Sequence, residues 1–426
     1  MKRLFILSID GVPYSLLTSL IDMGVMPFFK SLITEKGFRR YNSVLPTISS
    51  VAWASFMTGK NPGAHGIFGF IDRRPSPFKL YLPTGKNLRS KTLFEIVSDA
   101  GKRTISFNVP MTTPPRKVNG VMVSGFLSTK LHSAVHPPEI AQKLEYIGYI
   151  IDVDPSLALK DESTFWKQVY NALEGRKNAV KTFIGQEWDM FMLHIMETDR
   201  VNHFYIHNPE KLHSFYTKLD HYIKGIFEYI PDDADVLLLS DHGFCSIEKE
   251  FYVNTYLSRK GLLKFKVEDP KSLNEMDSST IAYSLIPGRI YLNLKGREEM
   301  GSIPQGDYNR VRNEIVDMLG ELVDNGIIKR VWLKEELYSG PFLDEAPDII
   351  LEPFDGIDIK GDINRKELFG KSSIKGMHTL EDAFILWIGK ELKGNNSFSI
   401  IDIASSILDE LGVGRPPDME ASGCLA

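Results

Sequence analysis

The sequence predicts an α/β fold: a largely parallel central sheet with helices on both faces, plus a small inserted α/β lid subdomain. Three observations carry this reading. Short apolar runs that read as strands alternate with helix-period segments through most of the 426 residues. Acidic residues and histidines gather where those runs end, the edge at which open sheets of this kind bind ligands. Between His242 and His378 the alternation breaks down, and GRIYLNLKG, a helical stretch and RVWLKEEL form a strand-helix-strand pattern of their own.

Taken in order, the strands expected are Leu4 to Ile9, Thr104 to Asn108, Val121 to Ser124, Asp189 to Ile195, Val236 to Leu239, Ile349 to Leu351 and Phe384 to Trp387. The helices expected are Ser50 to Thr58, Leu93 to Ala100, Thr164 to Gly175, Lys211 to Tyr229, Tyr308 to Leu322 and Ile401 to Leu411. Ser50 to Thr58 has apolar Trp53, Phe56 and Met57 three and four apart and is followed by Gly59, a common helix stop. The Pro-rich stretch from Asp72 to Gly85 fits the alternation poorly. No linker, repeat or low-complexity tract divides the chain, so residues 1–426 read as one catalytic domain with the lid inserted at residues 255–345.

Composition narrows the function classes. Apolar residues make up 43% and charged residues 25%, ordinary globular values. A net charge of −5 gives no electrostatic reason to expect nucleic acid or a membrane surface as partner. The opening MKRLFILSIDG has the basic start of a secretory signal, but its apolar run breaks at an Asp-Gly pair with no small-residue cleavage site, so it reads as a buried strand. No run approaches the roughly 18 apolar residues of a membrane span. Cys245 and Cys424 make no disulfide framework, and a soluble cytoplasmic protein is the expectation.

Six potential metal ligands stand in four clusters: Asp10, Asp199 with His203, Asp241 with His242, and His378. Asp carboxylates and imidazoles together suit Zn²⁺ or a neighbouring divalent ion such as Mn²⁺. Six ligands overfill one tetrahedral zinc but divide well between two divalent ions. Asp199 and His203, four apart, share one face of a helical turn, and His207 continues that spacing as an alternative to His203. Ser49 or Ser50 stands at a helix N-terminus, where unpaired N–H groups favour phosphate and a metal can activate a serine hydroxyl. His132, His136, His194, His213 and His221 have no spacing argument and read as surface or core residues; His65 reads as a structural turn residue.

The segments SSVAWASFMTGKNPGAHGI, ETDRVNH, SDHGF and GMH, in that order, resemble the alkaline phosphatase superfamily and, within it, the type I phosphodiesterase/nucleotide pyrophosphatase group. The resemblance spans nearly the whole length, and later segments such as YVNTYLSRKGLL are similar to a branch of predicted phosphohydrolases or phosphomutases. It implies Ser49 as nucleophile and metal-facing oxygen, one ion held by Asp199, His203 and His378, and the other by Asp10, Asp241 and His242. Many nucleotide pyrophosphatases carry a phosphate-binding Asn where Phe70 stands here, which implies that another group, such as the Ser50 backbone N–H, holds that oxygen. The function expected is a two-metal phosphodiesterase acting on a small phosphate ester through a phosphoserine. The alternatives are a phosphomutase using the same phosphoserine and a metal-stabilised binding protein. A sulfatase is disfavoured, because Ser49 is followed by Ser-Val-Ala-Trp without the Pro and Arg of that motif. Diesters are expected to react faster than monoesters, since Lys60 is the only basic side chain close after Ser49, unless Arg73, Arg74 or Lys130 folds back.

Overall fold

The apolar run after Lys2 forms the strand Arg3–Ile9, whose alternate side chains enter different layers. Phe5, Leu7 and Ile9 join Phe29, Phe165 and Phe215 in one core, while Ser8, on the opposite face, reaches His194. The computed structural model describes residues 2–363 and 365–426. The chain divides into two compact units, the first Met1–Asn61, Thr84–Phe244 and His378–Ala426, the second Pro62–Pro83 and Cys245–Met377.

The first unit is built on an eight-stranded sheet in the order Phe38–Tyr41, Ala383–Trp387, Ala234–Leu239, Arg3–Ile9, Met190–Ile195, Thr104–Phe107, Gly120–Val123, Val135–His136. The five strands from Ala234–Leu239 to Gly120–Val123 are parallel. Antiparallel strands border them on both sides. Strand Met190–Ile195 is buried along its whole length, as a parallel strand covered on both faces must be. Helices Glu162–Phe183 and Pro209–Phe227 contribute to the core on one face. Helix Ser49–Thr58 packs against Leu93–Asp99 and Ile400–Glu410. Every residue from Ser50 to Thr58 is buried, not only the apolar Trp53, Phe56 and Met57.

The second unit contains a four-stranded sheet ordered Ala282–Leu285, Arg289–Leu292, Ile349–Pro353, Ile328–Leu333, all pairs antiparallel. Helix Tyr308–Asp324 packs on Ile328–Leu333. This corrects the expectation that Ile349 to Leu351 belongs to the central sheet. A short buried apolar run has the same appearance in either sheet, and only pairing distinguishes them. The Pro-rich stretch yields a hairpin of Asp72–Pro75 with Phe78–Tyr81. The unit is wider than the span 255–345 because this hairpin and the strands flanking that span belong to it.

Two edge strands were not anticipated, Phe38–Tyr41 and Val135–His136, one carrying two arginines and the other only two residues long. Helix Glu162–Phe183 continues past Gly175, the expected stop. A Cβ there would meet Gly148 O at 3.2 Å, so that glycine serves close packing rather than termination. Among the described residues no helix is long and apolar enough to cross a membrane.

Candidate active site

Three neighbouring parallel strands end at one edge, and each delivers a carboxylate there. Asp10 follows Arg3–Ile9, Asp241 follows Ala234–Leu239, and Asp199 lies in the first turn of helix Glu197–Tyr205, which follows Met190–Ile195. The register pairs Ser8 with both His194 and Leu239, so the strand ends come level. Strand Ala383–Trp387 runs antiparallel to Ala234–Leu239 and therefore begins at that same edge, a few residues after His378. His203 lies one turn after Asp199 on its helix.

The side chains converge within the first unit. His378 Nε2 is 3.1 Å from Asp199 Oδ1 and 3.2 Å from His203 Nε2, and His203 Nε2 is 3.4 Å from Asp199 Oδ1. His242 Nε2 is 3.2 Å from Asp241 Oδ2 and 3.7 Å from Asp10 Oδ1, and its ring stacks on that of His378 at 3.7 Å. Ser49, the first residue of its helix, places Oγ 3.3 Å from Asp10 Oδ1 and 3.2 Å from His242 Nε2. Two triads, Asp199–His203–His378 and Asp10–Asp199–His242, bring their ligand atoms within 4.8 Å of one another. Asp199 belongs to both, so the triads form one continuous cluster.

Each carboxylate commits one oxygen to the protein and turns the other to the cluster. Asp10 Oδ2 accepts the Trp53 indole N–H at 2.9 Å, leaving Oδ1 toward Ser49. Asp199 Oδ2 accepts from Arg200 Nη1 at 3.0 Å, leaving Oδ1 toward the two histidines. Asp241 Oδ1 accepts the Gly11 backbone N–H at 3.1 Å. Its Oδ2 is buried without a hydrogen-bond partner, since His242 Nε2, though 3.2 Å away, does not approach in bonding geometry. The histidines are set likewise. His242 Nδ1 lies 2.9 Å from Gly243 O and His378 Nδ1 3.2 Å from Thr47 O, and a carbonyl can only accept, so Nδ1 carries a proton and Nε2 is the nitrogen that faces the cluster.

Burial and crowding set the ionisation. Burial raises the Asp10 carboxyl, but the His194 imidazole beside its Oδ2, with help from His242, outweighs it and holds Asp10 below the usual carboxylate range. Burial also opposes ionisation of Asp199, and His203, His378 and Arg200 together hold it far lower. Asp241 is pushed well up by burial and then by the charge of Asp10. Burial, reinforced by His378, brings His242 down to about 3, so its imidazole is neutral. Three buried carboxylates, an unpartnered oxygen on one of them and imidazole nitrogens facing inward fit divalent cations.

Of the residues expected to act, Asp10, Ser49, Asp199, His203, Asp241, His242 and His378 stand in this cluster. His207 does not: its helix ends at Tyr205, and His207 is exposed in the following turn. Phe70 falls in the second unit, half-buried. His65 accepts from the Ile67 N–H, a turn contact. Lys60 is paired with Asp418. Arg73 is buried against Glu298 and Tyr283 of its own unit, whereas Arg74 and Lys130 are exposed.

Sequence reasoning missed four supporting residues. His194, assigned no role, lies with Nε2 3.2 Å from Asp10 Oδ2, and Ser8 Oγ is 2.9 Å from its Nδ1. Trp53 was read only as part of an apolar face. Arg200 and Asp152 were not considered, yet Arg200 bonds Asp152 through Nη2 at 2.7 Å and Nε at 3.3 Å. One signal was available: His194 is the only ring nitrogen in the otherwise apolar strand MFMLHI.

Comparison with known proteins accords with this geometry. A family model described as type I phosphodiesterase/nucleotide pyrophosphatase matches residues 4–381. The crystal structure of phosphonoacetate hydrolase from Sinorhizobium meliloti 1021 with phosphonoformate superposes with a TM-score of 0.66 at 19% identity, covering 97% of this chain and 95% of that one. Murine ectonucleotide pyrophosphatase/phosphodiesterase 5 gives 0.63 at 14% identity, and the human protein 0.61 at 12%, each over 99% of this chain and 97% of the other. At such identities these structures speak for the fold. No functionally curated protein matches the sequence.

Proposed function

The chain belongs to the type I phosphodiesterase/nucleotide pyrophosphatase family, and from that premise we propose that it hydrolyses phosphodiesters through a phosphoserine on Ser49 with two divalent ions. One observation carries the reading: Ser49 Oγ stands within hydrogen-bonding distance of Asp10 and His242, beside two triads of candidate ligands, with Asp241 next to His242. Asp199, His203 and His378 would hold one ion and Asp10, Asp241 and His242 the other, with Zn²⁺ ahead of Mn²⁺ on ligand type. When bound, the ions supply positive charge that lowers the Ser49 hydroxyl pKa and offsets charge on the phosphoryl oxygens.

Ser49 does the bond-making. Its Oγ gives its proton to solvent and attacks phosphorus, an Oγ–P bond forms, the ester P–O bond breaks and the leaving oxygen takes a proton from solvent. Water then attacks phosphorus, the Oγ–P bond breaks, and a proton from that water restores the hydroxyl as the monoester leaves. The N-terminus of helix Ser49–Thr58 would offer the backbone N–H groups of its first residues to a phosphoryl group bound at Ser49. Murine ectonucleotide pyrophosphatase/phosphodiesterase 5 has been crystallised with AMP and the Sinorhizobium enzyme with phosphonoacetate, so the substrate is drawn from small phosphate or phosphonate compounds.

Diester preference follows from charge. A monoester dianion needs an extra cation near the nucleophile; Lys60 is engaged by Asp418 and Arg200 by Asp152 and Asp199. The metal-loaded protein is therefore expected to show a higher kcat/KM for an aryl methyl phosphodiester than for the aryl monoester. Ser49→Ala should bind ions and fold normally but lose turnover at least about a thousandfold, roughly 4 kcal/mol of barrier. Acid quenching of the wild type should trap a phosphoryl adduct on Ser49. Absence of turnover, or a monoester preference, would refute the assignment, and a phosphoryl group returned to another substrate hydroxyl would identify a phosphomutase.

A further inference from the structure

Behind the six ligands, the supporting groups differ in charge. Asp10 is backed by the Trp53 indole N–H and the His194 ring, and Asp241 by the Gly11 backbone N–H. Trp53 and Gly11 donate through neutral groups, and the Ser8 hydroxyl 2.9 Å from His194 Nδ1 adds no charge. Asp199 is backed by a cation, Arg200, which stacks over the Phe126 ring at 4.9 Å and is gripped in turn by Asp152. Asp152 is itself fixed through Oδ1 by the Val153 N–H at 2.8 Å.

We infer that the Asp152–Arg200 pair tunes one metal position, so that the two ions bind in order, first at Asp10, Asp241 and His242 and then at Asp199, His203 and His378. The inference rests on the two-metal reading above. The first position offers two carboxylates, all three of its ligands fully buried, and among the described residues no Lys or Arg is hydrogen-bonded to those carboxylates. The second offers one carboxylate whose electron density is drawn toward a guanidinium 3.0 Å away. Asp152 offsets that cation, but from one residue further out, so the offset at the ion is partial. The second position is also the wetter one, with the His203 and His378 side chains 22% and 15% exposed, so water competes with its ligands.

Substitutions at the pair separate tuning from scaffolding. Arg200→Met keeps an apolar stem against Phe126 and leaves the Asp152 charge uncompensated, which favours a cation. Asp152→Asn keeps a hydrogen-bonding partner for Arg200 and leaves the guanidinium uncompensated, which disfavours one. A purely structural role would make both changes weaken binding. The Asp152→Asn/Arg200→Met double variant removes both charges and should fall back near the wild type.

The test is calorimetric titration of the metal-stripped full chain with Zn²⁺, with Co²⁺ absorption as a second readout. Two steps of one ion each are expected, at least about tenfold apart in Kd. His378→Ala should delete the weaker step and Asp241→Ala the tighter one. Arg200→Met should tighten the weaker step and Asp152→Asn weaken it, each by about tenfold, with the tighter step moving less than about threefold. Saturation at a single ion in the wild type would remove the two-metal reading itself. Two ions bound in the reverse order, or in steps that do not separate, would overturn the ordering alone. Equal weakening by both pair variants, or no change in either, would overturn the role of Asp152 and Arg200.

Discussion

Asp10 depends on groups that need never touch an ion. Its Oδ2 is held by the Trp53 N–H, its backbone carbonyl accepts the Thr198 hydroxyl, and His194 closes the remaining side. A hydrogen bond to a buried charged group contributes about 1.5–3 kcal/mol. Trp53→Phe keeps most of the ring volume and removes that donor, so the metal-stripped protein should lose stability of that order in urea unfolding, and Zn²⁺ affinity at the Asp10 position should fall. An unchanged midpoint would mean that the Trp53 N–H does not hold the carboxylate. Ser50→Ala gives the matching control at the proposed nucleophile: a mild effect beside that of Ser49→Ala, with the reverse order placing the nucleophile one residue later. The candidate ligands were legible because a carboxylate or imidazole at a strand end is conspicuous between apolar runs. The support was not, because Trp53, His194 and Arg200 act from positions whose spacing in sequence says nothing of which carboxylate oxygen they meet.

The strand-to-turn junctions are where element and site meet. Gly11 has φ +62° directly after Asp10, and a Cβ there would lie 3.0 Å from the Phe244 ring and 3.1 Å from His242 Cε1. The same residue donates its N–H to Asp241. Gly11→Ala therefore adds left-handed strain, about 1–2 kcal/mol, and pushes on a ligand imidazole. The expected result is a lower unfolding midpoint together with weaker binding of the first ion; lost stability with unchanged ion affinity would show that the turn relaxes away from His242. Most central strands were readable from apolar runs such as LFILSI and DVLLL, because a parallel strand covered on both faces must be apolar throughout. Edge strands were not, since Phe38–Tyr41, with one neighbour and two arginines, lacks that signature. Ile349–Pro353 was readable as a strand but not as a member of a particular sheet, because pairing partners are set by residues far away in sequence.

At the scale of the molecule the two units rest on different buried charges. All the candidate ligands lie in the first, so ion binding there would link its stability to ion concentration: at a thousand times Kd, binding would add about 4 kcal/mol. Chelation should lower hydrogen-exchange protection around Gly11, helix Glu197–Tyr205 and Asp241, and unchanged exchange there would count against ion binding at these strand ends. The second unit contains a buried carboxylate with its own counter-charges. Asp348 accepts from Arg297 at 2.8 and 2.6 Å, from the Tyr308 hydroxyl at 2.7 Å and from the Leu292 N–H at 2.8 Å, with Lys334 at 3.5 Å. Burial alone would raise its pKa, but the Arg297 bonds and charge, with those of Lys334 and Tyr308, bring it down to about 2 from 3.8. A depressed carboxylate contributes stability above its unfolded pKa and loses it as pH falls through its folded one. The window is thus from about pH 4 to about pH 2, and the amount is about 2 kcal/mol. Asp348→Asn removes the charge and leaves Arg297 buried without it, a loss of about 3–5 kcal/mol at neutral pH. Followed by the ¹⁹F signal of 5-fluorotryptophan at Trp332, a strand residue of this unit, the wild-type urea midpoint should drop between pH 4 and pH 2 and the variant midpoint should drop less. Parallel curves across that window would mean that another carboxylate governs the acid response of the unit.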